Sequence, residues 1–381
     1  MLPEIKYLSV NWIDGMKISA VHFNQLESSI VDRIRDTSAL SLTNFNYGLL
    51  APIPSNKTSL TLQVSKDQSG LIRIKLTECR AITAAGVRIE IAGEGYSKLN
   101  TFETTISAKT DEDIFIVIAV NPFERVPFGQ PKAEESPVRY PFGIPAFYLE
   151  AKPASQLNVG LKPAYHLIVG KLKSAFGELT LDTNFIPPST SINSHPKLKE
   201  EYNNLGDLLG QIGNYATVIV QKVRFEKQKT DLAINIMYVA EKIIFFLADK
   251  IAKYRWIVAE MPPVYMIETF LSLAYLTKST FDCVTEKERE QMFTYFEQWT
   301  ELTPAQFQNQ LNAVIEIDYN HQNIASAIQE VKIFTAIMVK LFNQMSKLKY
   351  IGDQQDRNIV IGETIEQKKP EAKRGWSFLN D

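Results

Sequence analysis

The stretch NFIPPSTSINSHP, residues 184–196, decides how this chain is built. Pro188 lacks a backbone donor and restricts Pro187 to extended conformations, so neither a helix nor a central strand runs through it. Upstream the apolar residues recur with period two, and downstream with steps of three and four. Two architectures therefore meet at this point. The expectation is an α+β multidomain chain with an antiparallel β-sandwich over 1–190, an α-helical bundle over 191–350 and an extended tail over 351–381.

Working back from Phe185, the two-residue period is clear from residue 58 to 182. Leu60, Leu62 and Val64 alternate with Thr61 and Gln63, and KDQSG (66–70) supplies a turn. Ile72, Ile74 and Leu76 alternate next, then Val87, Ile89 and Ile91, and finally Leu179 and Leu181. Such alternation marks antiparallel strands with one buried face. IFIVIAV (114–120) is apolar on both faces and reads as a central strand. The proline-rich run 121–145 is expected to be a long loop, since that density of proline opposes regular structure. Ahead of the sheet, Ser19 is placed to cap one amphipathic helix carrying Phe23, Leu26, Ile30 and Ile34.

Working forward from Pro196, the pattern is helical. Gly206, Gly210 and Gly213 weaken the first segment. Leu232, Ile236, Val239, Ile243 and Phe246 follow at helical spacing, and Pro262 and Pro263 start a new helix in its first turn. Ala327, Val331, Phe334, Met338, Leu341, Met345 and Leu348 hold strict four–three spacing. That stripe fits either the inside of a single-chain bundle or a seam between chains. From residue 352 the composition turns polar, ending in Lys373, Arg374, Trp376, Phe378 and Leu379, a candidate short docking motif.

Chemistry is hard to find. Of 381 residues 22% are charged and the net charge is −2, which gives no electrostatic case for nucleic acid or an anionic membrane. Two cysteines exclude a disulfide framework and favour a reducing compartment. The opening residues lack the basic end and apolar run of a signal peptide. The most apolar segment, 232–252, is interrupted by Glu241, Lys242, Asp249 and Lys250, so no membrane span is expected. The four histidines show no metal-ligand spacing, and phosphate-loop and nucleophile-elbow signatures are missing. No catalytic, metal or cofactor site is expected.

Three motifs carry a resemblance. In NWIDGMKISAVHFNQLE (11–27), Trp12, Asp14, Gly15, Met16, His22 and Phe23 stand in a fixed order. SPVRYPFGIPAFYLE (136–150) joins an arginine- and proline-bearing connection to a strand, and LDTNFIPPSTSINSHPKL (181–198) carries Phe–Ile–Pro–Pro and a Ser–x–Pro–x–Leu helix entry. Weaker matches follow in PPVYMIETFLSLAYL and around Tyr319 and His321. In this order the chain resembles the TssK family, the trimeric baseplate subunit of bacterial type VI secretion systems, from residue 11 to about 324.

The resemblance implies a structural protein with no catalysis. It implies a β-rich shoulder similar to that of phage receptor-binding proteins, a helical neck, and a hinge at Phe185, Ile186, Pro187 and Pro188. The shoulder would hold a baseplate wedge of TssF- and TssG-like subunits, with Trp12, Asp14, Gly15, Met16, His22 and Phe23 near that contact. The neck would hold a homotrimer together, with Val331, Phe334, Met338, Leu341, Met345 and Leu348 as its seam. Family members continue into a C-terminal head that binds the inner-membrane complex. Here only a tail follows the last helix, so Lys373, Arg374, Trp376, Phe378 and Leu379 would dock in its place. The implied location is cytoplasmic, at the inner face of that membrane. A phage or phage-like tail receptor-binding protein is the alternative, because it shares the shoulder and trimer plan.

Overall fold

The computed structural model describes residues 3–54, 58–68, 70–91, 102–107, 111–157, 165–175 and 178–352. An N-terminal arm leads into α1 (Ala20–Leu40). A β-sandwich follows, made of β1 (Gly48–Leu49), β2 (Leu60–Lys66), β3 (Leu71–Ile82), β4 (Arg88–Ile91), β5 (Phe102–Ser107), β6 (Ile114–Phe128), β7 (Phe142–Pro153), β8 (His166–Ala175) and β9 (Glu178–Leu181). In one sheet β3 is the centre, flanked by β1 and β2 on one side and by β4 and β5 on the other. The other sheet runs β7-β6-β8-β9, and every described pairing is antiparallel. The alternating apolar residues meet between the sheets. Ile72, Ile74 and Leu76 from one and Ile114, Ile116 and Ile118 from the other share a core.

The proline-rich run differs from its expectation. β6 continues to Phe128 and β7 begins at Phe142, so only residues 129–141 form the connecting loop. β8 pairs with β6 only over Ile114–Ala119, and beyond that β6 and β7 are a two-stranded ribbon. At such an edge a missing N–H is tolerated. A bulge between Asn121 and Arg125 absorbs Pro122, while Pro127 lies opposite Gly143.

Six helices build the second half: α2 (Pro196–Phe225), α3 (Asp231–Trp256), α4 (Val264–Asp282), α5 (Glu286–Thr300), α6 (Pro304–Ile315) and α7 (Ile324–Lys347). The glycines do not interrupt α2. A Cβ on Gly206 would lie 3.0 Å from Tyr254, and one on Gly213 would lie 3.1 Å from Leu247, so both let α3 approach closely. Val331, Phe334, Met338, Leu341 and Met345 on α7 are buried in the core of this one chain, and Leu348 packs against it. The seam expected on that stripe is corrected accordingly. Its apolar faces are already covered by the chain's own helices and present nothing to a neighbour. Ile351, assigned to the tail by sequence, also belongs to this core, its N–H donating to Gln228 Oε1 at 3.0 Å. Lys373, Arg374, Trp376, Phe378 and Leu379 lie outside the described residues.

The junction between the halves is stitched rather than free. Leu49 donates to the Pro188 carbonyl at 2.8 Å, and Thr190 donates back to the Leu49 carbonyl at 2.9 Å. Gly48 adopts φ +117°, and a Cβ there would sit 2.0 Å from the Pro188 oxygen. Ile186 enters the helical core while Phe185 meets Phe115 of the sandwich edge-on. Farther on, His321 Nε2 bonds the Tyr47 carbonyl at 2.8 Å and its Nδ1 bonds Tyr319 Oη at 2.9 Å.

Candidate functional site

The N-terminal arm and α1 form the most unusual surface of the sandwich half. Asp14 and Gly15 make a turn, with Gly15 at φ +80° and the Met16 N–H donating to the Ile13 carbonyl at 3.3 Å. The turn brings the arm back over the start of α1. Ser19 caps the helix, and His22 Nδ1 accepts from the Ser19 N–H at 3.1 Å. Trp12 then lies 6.1 Å from His22 and 6.4 Å from Phe23, ring centre to ring centre. Of the six residues singled out in this motif, Trp12, His22 and Phe23 thus form one exposed aromatic group. Gly15 shapes the turn, Asp14 is exposed on it and Met16 is half-buried beside it.

α1 is turned opposite to the usual sense of an amphipathic helix. Its buried side chains are Ser28, Ser29, Asp32, Arg35 and Ala39. Phe23 is 57% exposed and Ile34 is 62% exposed, with Ile30 on the same face. The polar side faces inward because it clamps the arm. Asp32 Oδ2 accepts from the backbone N–H groups of Lys6 at 2.6 Å and Tyr7 at 3.0 Å, while Arg35 Nε donates to Asp32 Oδ1 at 2.9 Å. Arg35 also donates to the carbonyls of Pro3 and Glu4. Burial pushes the Asp32 carboxyl up, but the Tyr7 and Lys6 N–H bonds and the Arg35 guanidinium outweigh it and hold the pKa below the ordinary value.

The β6 bulge is the other support. It projects Phe123 against Tyr7, with ring centres 4.5 Å apart, and Arg125 into an ion pair with Glu27 of α1. Between arm, bulge and sheet lies a cleft of about 250 Å³ lined by Lys6, Asn121, Phe123, Tyr148, Tyr165 and His166. Tyr148 Oη donates to Glu124 at 2.8 Å. No arrangement of a nucleophile, base and orienting group converges there, and among the described residues no group of His, Cys, Asp and Glu could hold a metal ion. Sequence reasoning passed over Asp32, Arg35, Tyr7 and Phe123. The available signal was the Asp–x–x–Arg pair on the helix face opposite Phe23 and Ile30.

No family model matches the chain, and no curated protein does. A crystal structure of TssK superposes with TM-score 0.50 at 18% identity, covering 90% of this chain and 70% of that one. The fold is that of TssK. A TssK from the T6SS of EAEC, in complex with a nanobody, aligns at 13% identity over 85% of this chain and 99% of that one, with TM-score 0.47. TssK in the type VI secretion system TssK-TssF-TssG baseplate subcomplex aligns at 14% identity over 90% of this chain and all of that one, with TM-score 0.45. These TssK neighbours are baseplate components rather than enzymes. Among the described residues no helix is long and apolar enough to cross a membrane.

Proposed function

We propose that this chain is a structural baseplate component of a contractile injection system of the type VI kind, a trimeric adaptor without catalytic activity. The sandwich and its arm (1–190) serve as the shoulder that holds the wedge, the helices (191–350) as the neck that joins copies, and residues 351–381 as the link to the inner-membrane complex. Within that segment Ile351 and Gly352 root the link in the helical core, and Lys373, Arg374, Trp376, Phe378 and Leu379 carry the docking. The adaptor works in the cytoplasm, at the inner face of that membrane.

One observation carries the wedge contact. α1 buries its polar side on the arm and leaves Phe23, Ile30 and Ile34 in water, beside the Trp12–His22 group. A helix that turns its apolar face outward on a rigid support is built to meet another protein. The wedge partners are TssF- and TssG-like subunits, by likeness of fold to the TssK of the TssK-TssF-TssG subcomplex.

Co-purification of the full chain with such wedge subunits tests the reading. Phe23→Asp and Ile30→Asp, both on exposed positions, should abolish capture while leaving the melting temperature unchanged. Capture at wild-type level by the double variant overturns the assignment of this face. Failure of the wild-type chain to capture the wedge at all overturns the adaptor reading itself.

A further inference from the structure

The helical half has a face that its own core leaves unused. Between residues 211 and 221 of α2 the exposed side chains are Gln211, Asn214, Thr217, Val218 and Gln221, and none is charged. The helix ends on Phe225, 82% exposed. On α3, Ile234, Phe245 at 71%, Ala248, Ala252 and Trp256 at 79% are exposed too. Gln211, Asn214, Val218, Gln221 and Phe225 step by three and four, and Phe245, Ala248, Ala252 and Trp256 by three, four and four. From Ile234 to Trp256 the α3 stripe is about 33 Å long at 1.5 Å per residue. The Arg224–Glu241 ion pair, 2.5 Å, ties the two helices together at one end of this face.

Absence of charge at the centre of an exposed patch is the composition of a protein–protein contact. Steps of three and four select a helix as the partner. The two stripes also differ: α2 offers amides and one valine, α3 offers aromatic side chains separated by small alanines. A copy carrying both kinds can give one stripe to a neighbour and receive the other, and a head-to-tail contact of this sort closes into a ring. We propose that the outer face of the α2–α3 hairpin joins copies of this chain, the α2 stripe of one against the α3 stripe of the next. The inference rests on the reading of the protein as a trimer, and replaces the α7 seam with a surface that is free to be shared.

The test uses the full chain and its mass by light scattering after size exclusion. The wild type should run as three copies. Val218→Glu and Phe245→Glu should each weaken association at least a hundredfold and give single chains with unchanged circular dichroism. Tyr275→Glu, on exposed α4, should remain assembled. In a Cys283→Ser background, a mixture of the Val218→Cys and Phe245→Cys variants should form a crosslinked pair under oxidation, and neither variant should do so alone. If the wild type is assembled and both charged variants keep its mass, this surface is wrong while the trimer stands. If either cysteine variant crosslinks to itself, the contact is not head-to-tail. A wild type that remains a single chain at high micromolar concentration overturns both this inference and the trimeric reading.

Discussion

Asp32 is the acceptor on which the whole wedge-facing surface rests. It takes two backbone N–H bonds from the arm and one from Arg35, and both ionic partners are buried. Asp32→Asn removes the negative charge and leaves the Arg35 guanidinium uncompensated. Breaking a buried pair in this way costs about 3 kcal/mol. We expect a loss of that size in denaturant unfolding, together with protease sensitivity of residues 3–12. His321 gives a second expectation at this scale. Burial pulls its pKa down to about 4, against a smaller upward pull from the bond to the Tyr47 carbonyl. The folded imidazole is therefore neutral while the unfolded one, near 6.5, takes up a proton first. Its contribution is full above pH 6.5 and is lost as pH falls toward 4. His195, buried and pulled down to about 4 as well, acts in the same window. In His321→Gln the fall of melting temperature between pH 6.5 and 4 should be shallower than in the wild type, with the remaining slope assigned to His195.

At the scale of elements, the α2 glycines divide into two kinds. Gly206 faces Tyr254, which stacks on Tyr202 at 4.6 Å and exchanges two hydrogen bonds with it, so the ring has little freedom to retreat. Gly206→Ala should destabilise by about 1 kcal/mol net, since overpacking of ~2 kcal/mol exceeds the helix gain of ~1 kcal/mol. A Cβ on Gly210 meets nothing within 4 Å, so Gly210→Ala should stabilise by about 1 kcal/mol. Urea unfolding of the two variants separates the cases, and equal signs would contradict this account of the packing. The sequence treated all three glycines alike because propensity does not register a facing ring. It read the strands well, since alternation in Ile72–Ile74–Leu76 states directly which face is buried. It missed the β6–β7 ribbon because an edge strand tolerates proline and a central one does not. It listed the apolar residues of α1 without saying which side faces out, and the buried side was set by Asp32 and Arg35, a polar pair that hydrophobic spacing ignores.

At the scale of the whole molecule, the division at Phe–Ile–Pro–Pro was legible because prolines and a change of period coincide there. What could not be read was how firmly the two sides are joined. Thr190 Oγ1 reaches Leu49 across 141 positions of sequence, and His321 reaches Tyr47 across 274. Those separations set an order of assembly on the ribosome. β1 is made early, yet its partners at Pro188 and Thr190 emerge only after every sandwich strand, and His321 emerges near the end of synthesis. The nascent sandwich therefore waits with one end open, and the last helices to leave the exit tunnel are the ones that fasten it. A surface meant for other copies and other subunits is thus presented on a finished frame only once almost the entire message has been translated.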